Sequence, residues 1–200
     1  MIRVNICRYV SFVSVAILMV ALQACTPSTQ DAVEQQEQVR DALPVYRVVA
    51  PFTAVDQRGA VFTSSSLAGK YWLGSFFFTR CQTVCPALNR VKSRIQREFG
   101  TKLSFVSISS DPEFDTPDVL AAYAQEYAQE GGAWWFVRMP KDSMLAVASQ
   151  GVGLISPAEP EMHSTRFVLV DPAMQVRGFY DSEDTAAVAK LRADLKGLGL

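Results

Sequence analysis

Cys81 and Cys85 stand four residues apart in TRCQTVCP, directly after an apolar run. On a helix that spacing puts both sulfurs on one face, roughly 5–6 Å apart at Cβ. Three chemistries suit such a pair. Two thiolates can clip a soft metal ion, they can cycle between dithiol and disulfide, or they can form an inert disulfide of the kind common in exported proteins. A structural disulfide would constrain the unfolded chain little, because the loop it closes is so short. A helix start also offers free backbone N–H groups and the positive end of the helix dipole, both of which favour thiolate. Arg80 places a cation next to the first thiol, and Pro86 is tolerated in a first helical turn.

His163 is the sole histidine, in EPEMHSTRFVLVDP. In the fold that the element order predicts, the loop before this late strand lies beside the start of the first helix, on the edge that carries the cysteines. Two thiols and one imidazole make an S₂N set: the sulfurs suit Cu(I), and the imidazole lets the site also hold Cu(II). Zinc could use the same three ligands with water as a fourth.

The elements that must position these groups are legible in outline. The hairpin VVAPFTAV–DQRG–AVFT turns at Gly59. YWLGSFFFT (71–79) is a near-continuous apolar run, the pattern of a strand covered on both faces. A helix is expected over Val84–Phe99, with Leu88, Val91, Ile95 and Phe99 as its buried stripe. LSFVSISS (103–110) reads as a second buried strand. In DPEFDTPD, Thr116-Pro117 supplies an N-cap and a first-turn proline for a helix running to about Gln129. WWFVRM, DSMLAVASQ, the pair TRFVLVDP and MQVRGFYD, and DTAAVAKLRADLKGLG then read as strand, short helix, hairpin and terminal helix. That order predicts an α/β, thioredoxin-like fold with an added N-terminal β-hairpin over residues 45–200. The aromatic runs Phe76–Phe78 and Trp134-Trp135 are expected in the core. Of Met139, Met144, Met162 and Met174, only Met162 adjoins the histidine.

Upstream of the domain, Arg3 and Arg8 precede the apolar run of residues 9–24, the pattern of a secretory signal, and Leu22-Gln23-Ala24-Cys25 resembles a bacterial lipobox. Residues 1–24 are thus expected to be removed and Cys25 lipidated, although Gln23 is not the usual small residue. An uncleaved anchor is the alternative, with 16 apolar residues against the roughly 20 that span a bilayer. Residues 25–44 are Gln/Glu-rich and read as a flexible tether. With Cys7 removed and Cys25 acylated, Cys81 and Cys85 would be the only free thiols. The balance of 19 basic and 20 acidic residues, with no basic block, argues against a nucleic-acid partner.

TRCQTVCP, FVSISSDPEFDTPDVLAAYA and MHSTRFVLVDP together resemble the Sco/SenC proteins, copper-binding assembly factors of cytochrome c oxidase, over roughly residues 45–197. The resemblance implies a membrane-tethered thioredoxin fold holding one copper ion through Cys81, Cys85 and His163. It places Asp111, the first acid of the DPxxDTP loop, near the metal, with turn formation as the structural alternative. Gln82, where the family often has proline, and Arg80 depart from its pattern without removing a ligand. The implied function is a metallochaperone delivering copper to the dinuclear copper centre of cytochrome c oxidase subunit II. Other periplasmic copper chaperones or thiol reductants would be further partners, and the site would face the periplasm or extracytoplasmic space from a bacterial membrane. A thiol-disulfide oxidoreductase that reduces the recipient's cysteines is the alternative. A peroxiredoxin-like enzyme fits less well, because no Thr-x-x-Cys surrounds either cysteine.

Overall fold

The computed structural model describes residues 29–154 and 164–200. The leader, Cys25, Met162 and His163 therefore lie outside the described residues. The element order is α1 (Thr29–Ala42), β1 (Arg47–Val48), β2 (Thr53–Asp56), β3 (Val61–Thr63), β4 (Trp72–Phe77), α2 (Val84–Phe99), β5 (Ser104–Ser109), α3 (Pro117–Tyr127), β6 (Trp134–Arg138), α4 (Lys141–Ala146), β7 (Arg166–Val170), β8 (Gln175–Asp181) and α5 (Thr185–Gly197). One eight-stranded sheet runs in the order β1-β8-β7-β4-β5-β6-β2-β3. Its centre, β4-β5-β6, is parallel, and every other pairing is antiparallel. This is the α/β, thioredoxin-like arrangement expected from the sequence.

Strand alternation divides the core between the two faces. Leu73, Phe77, Phe105 and Phe136 pack with Leu88 and Ile95 of α2, Leu120 of α3 and Leu191 of α5. Trp72, Phe76, Val106 and Ile108 point the other way, onto Phe62, Leu67, Met139 and Met144. Phe76 and Phe77 are core residues as expected, whereas Phe78 and Trp135 are only partly buried.

The expected helix over 84–99 forms with its stated bounds, but its buried stripe includes Lys92, which has no exposed surface, while Val91 is half-buried. Lys92 Nζ donates to Ser75 Oγ at 2.9 Å, Val106 O at 2.8 Å and Ser107 Oγ at 3.1 Å. Those acceptors exist because Ser75 and Ser107 fall mid-strand on the face that α2 covers. Burial holds the Lys92 ammonium well below its usual pKa.

Two differences from the sequence reading concern the N-terminal part. The hairpin pairs only 53–55 with 61–63, and the preceding segment crosses to the opposite edge, where Arg47–Val48 pairs with β8. Residues 29–42, expected as part of a flexible tether, are helical and have no buried residue. Their Gln, Glu, Ala and Arg content favours helix, and Arg177 secures the C-terminal end by donating to the carbonyls of Leu43 (2.7 Å) and Arg40. No described helix is long and apolar enough to cross a membrane.

Candidate metal centre

The parallel strands β4, β5 and β6 run in the same direction, so the loops leaving their carboxyl ends share one edge of the sheet, where α/β folds place their sites. Thr79, Arg80 and Cys81 leave β4 on this edge, and Asp111–Asp115 leave β5. β7 is antiparallel to β4, with Gly74 opposite Val168, so its first residue, Arg166, enters the sheet from the same edge. Arg166 follows His163 by three positions.

Cys81 is partly exposed and Cys85 is buried, and both are free thiols. The first turn of α2 has no side-chain cap from Thr83. The Cys81 sulfur takes that place, accepting the Cys85 backbone N–H at 3.4 Å. Burial by itself would raise the Cys81 pKa, but the N–H groups of Cys85, Thr83 and Val84, with the Cys85 thiol, outweigh it and bring the pKa below its ordinary value. Cys85 goes the other way: burial, reinforced by the negative charges of Cys81 and Asp115 and only partly offset by the Phe78 backbone, pushes its thiol up to about 12. One partner is thus the more readily ionised, partly exposed sulfur and the other a buried thiol held in its protonated form.

Arg80 is not directed at the thiols. Its Nε and Nη2 donate to Asp111 Oδ2 at 3.0 and 2.5 Å, and its guanidinium lies 4.4 Å from the Phe114 ring centroid. The thiolate at Cys81 is favoured by main-chain dipoles, and the arginine cation expected to help is neutralised by Asp111. Asp111 therefore stands on the cysteine edge, joined to Arg80, the residue before Cys81.

Sequence reasoning passed over Asp115, the second acid of the same loop. It is fully buried and accepts the Thr79 hydroxyl at 2.5 Å, the Thr79 backbone N–H at 3.4 Å and the Ser109 hydroxyl. It thereby ties the loop before Cys81 to the end of β5. The only signal available was its place in DPEFDTP. Among the described residues no three His, Cys, Asp or Glu side chains gather as a metal site. Cys81 and Cys85 come together as expected, and the expected third ligand, His163, lies outside the described residues.

Comparison with known proteins agrees with this architecture. Residues 40–133 match the SCO1/SenC family model. The chain is 27% identical over 168 residues to the SCO1 protein homolog of Bacillus subtilis, covering 80% of this chain and 86% of that protein. Among solved structures, it is similar to BsSco, described as a member of the Sco family of cytochrome c oxidase assembly proteins in which a disulfide switch was identified. The identity is 26% and the TM-score 0.68, with 80% of this chain and 99% of that one covered. The copper-bound ScoI of Bradyrhizobium japonicum has the same fold, at 24% identity and TM-score 0.59 over 74% of this chain and 99% of that one.

Proposed function

The chain belongs to the SCO1/SenC family, and from that premise we propose that it is a copper carrier of the bacterial cell envelope that serves the assembly of cytochrome c oxidase. The observation that carries the reading is the paired sulfurs at the N-terminus of α2, one already favoured as thiolate. Soft thiolates suit Cu(I). Cys81 supplies the accessible first ligand, Cys85 joins as the metal displaces its proton, and His163 completes an S₂N set that also accommodates Cu(II). Copper is cargo here: it passes by ligand exchange to the dinuclear copper centre of oxidase subunit II. Lipidation at Cys25 would hold the domain at the membrane, facing the extracytoplasmic side.

The opposed shifts of the two thiols favour a second use of the same pair. Cys81 thiolate attacks a disulfide in the recipient and releases one of its sulfurs as thiolate. Cys85, after losing its proton, then attacks the mixed disulfide. The recipient gains two electrons as a dithiol, and Cys81–Cys85 becomes the disulfide.

Titration of the reduced soluble domain with Cu(I) and Cu(II), followed by sulfur-to-copper charge-transfer absorption, tests the first reading. One copper per chain is expected, lost in Cys81→Ser and Cys85→Ser and strongly weakened in His163→Ala. Absence of binding by the wild-type domain refutes the carrier and leaves the disulfide reductant.

A further inference from the structure

The cysteine edge of the sheet continues into a groove that copper binding does not use. It has a volume of about 600 Å³ and lies between the β2–β3 hairpin and the segment leaving β6. Val55, Val61, Pro112 and Met139 give it an apolar lining, and Arg138, Lys141 and Glu113 are its charged residues. The Arg138 Nε is buried without a hydrogen-bond partner, and among the described residues neither Arg138 nor Lys141 has an ion pair. Buried donors are seldom left in that condition, and the group that best completes a guanidinium is a carboxylate. Among the described residues β3 is the outermost strand, paired only with β2, and Val61 is 74% exposed. Val55 pairs in register with both Val61 and Arg138, so the three side chains share one face of the sheet, an apolar wall ending in a cation across which an extended segment can lie.

We propose that this groove docks an extended segment of the recipient protein in which an Asp or Glu alternates with apolar residues. The carboxylate pairs with Arg138 and Lys141, and the apolar neighbours cover Val55, Val61 and Met139. Glu113, also in the lining, repels a second acid and so restricts the register of the segment. Pro112 and Glu113 directly follow Asp111, which pairs with Arg80, the residue before Cys81, so the docked segment lies on the same edge of the sheet as the thiols. The inference rests on the reading of the chain as a donor to another protein, and it assigns the choice of recipient to the groove rather than to the cysteines.

The test pans a random heptapeptide phage library against the reduced, metal-free protein and measures binding of synthetic copies of the enriched peptides. The expected peptides carry Asp or Glu between apolar residues, shift the amide resonances of Val55, Val61 and Arg138, and weaken at least about tenfold, one factor of ten being about 1.4 kcal/mol, when the acid becomes its amide. The same loss is expected in the double variant Arg138→Gln/Lys141→Gln and in Val61→Lys, whose exposed position poses no folding problem. No enrichment, enrichment without acids, or binding indifferent to these variants overturns the proposal. Copper titration of the wild-type protein separates the two readings: normal copper uptake in a protein that never binds peptide defeats only the groove, whereas groove-dependent peptide binding in a protein that takes no copper defeats only the carrier.

Discussion

Selective alkylation reads the asymmetry of the cysteine pair directly. Main-chain N–H groups bring the Cys81 pKa below its ordinary value while burial pushes the Cys85 thiol up to about 12, so the two are widely separated. At pH 8 a thiol of pKa 9.0 is ionised to about one part in ten and one of pKa 12 to about one part in ten thousand, a ratio of roughly a thousand in reactive thiolate. Nucleophilicity works the other way, since a more basic thiolate attacks faster with a Brønsted slope of about 0.4–0.5, which returns a factor of roughly 15–30. The net expectation is that Cys81 reacts roughly 30–60 times faster, and the 4% exposure of Cys85 widens the margin. The assay is a timed reaction of the reduced protein with iodoacetamide, followed by tryptic digestion. Both cysteines fall in the peptide of residues 81–90, and fragmentation assigns the label to one sulfur or the other. Rates within threefold of each other, or faster labelling of Cys85, would refute the claim that main-chain N–H groups and burial set the two thiols apart.

Three further outcomes follow from neighbouring contacts. Arg80→Ala removes an ion pair whose side chains are 59% and 25% exposed; chemical denaturation should register a loss of about 0–1 kcal/mol, and Cys81 alkylation should stay within about twofold of wild type, because dipoles rather than this cation favour its thiolate. Gly74→Ala would set a Cβ 2.7 Å from Val168 Cγ1 and 2.9 Å from the Trp72 ring, an overpacking that should cost about 1–3 kcal/mol in the same assay. Lys92 has a folded pKa below its ordinary value, so the unfolded chain binds its proton more readily and stability gains with rising pH between the folded value and about 10.5. Urea unfolding at pH 7, 8 and 9 should therefore show Lys92→Met with a shallower pH slope than wild type, by up to about 1.4 kcal/mol per pH unit; parallel slopes would contradict the lowered pKa of the buried amine.

Legibility varied from residue to residue for physical reasons. The helix that carries the cysteines was readable because Leu88, Ile95 and Phe99 repeat at helical spacing, and Thr116-Pro117 announced the start of α3, where the Thr116 hydroxyl accepts the Val119 N–H. Lys92 occupies the same stripe, four residues after Leu88, yet a lysine is ordinarily taken as solvated. Its burial depends on two serines from different strands meeting beneath it. Arg80 was read by its nearness in sequence to Cys81. Its true partner, Asp111, lies 31 residues away and reaches it only because β4 and β5 are adjacent and parallel.

By itself the sequence determined the chemistry available: two sulfurs on one helical face, a single imidazole, and the strand-helix order that brings late and early segments to one edge. Those properties reside in residue type and local spacing, which survive without knowledge of the fold. Tertiary structure alone decided which thiol ionises first, that Arg80 neutralises Asp111, that Asp115 ties the cysteine loop to β5, and that Arg138 lines a groove without an ion-pair partner among the described residues. Each of these depends on strand order and register, which set distances between residues far apart in the chain, and at such distances burial and a few hydrogen bonds outweigh intrinsic side-chain character.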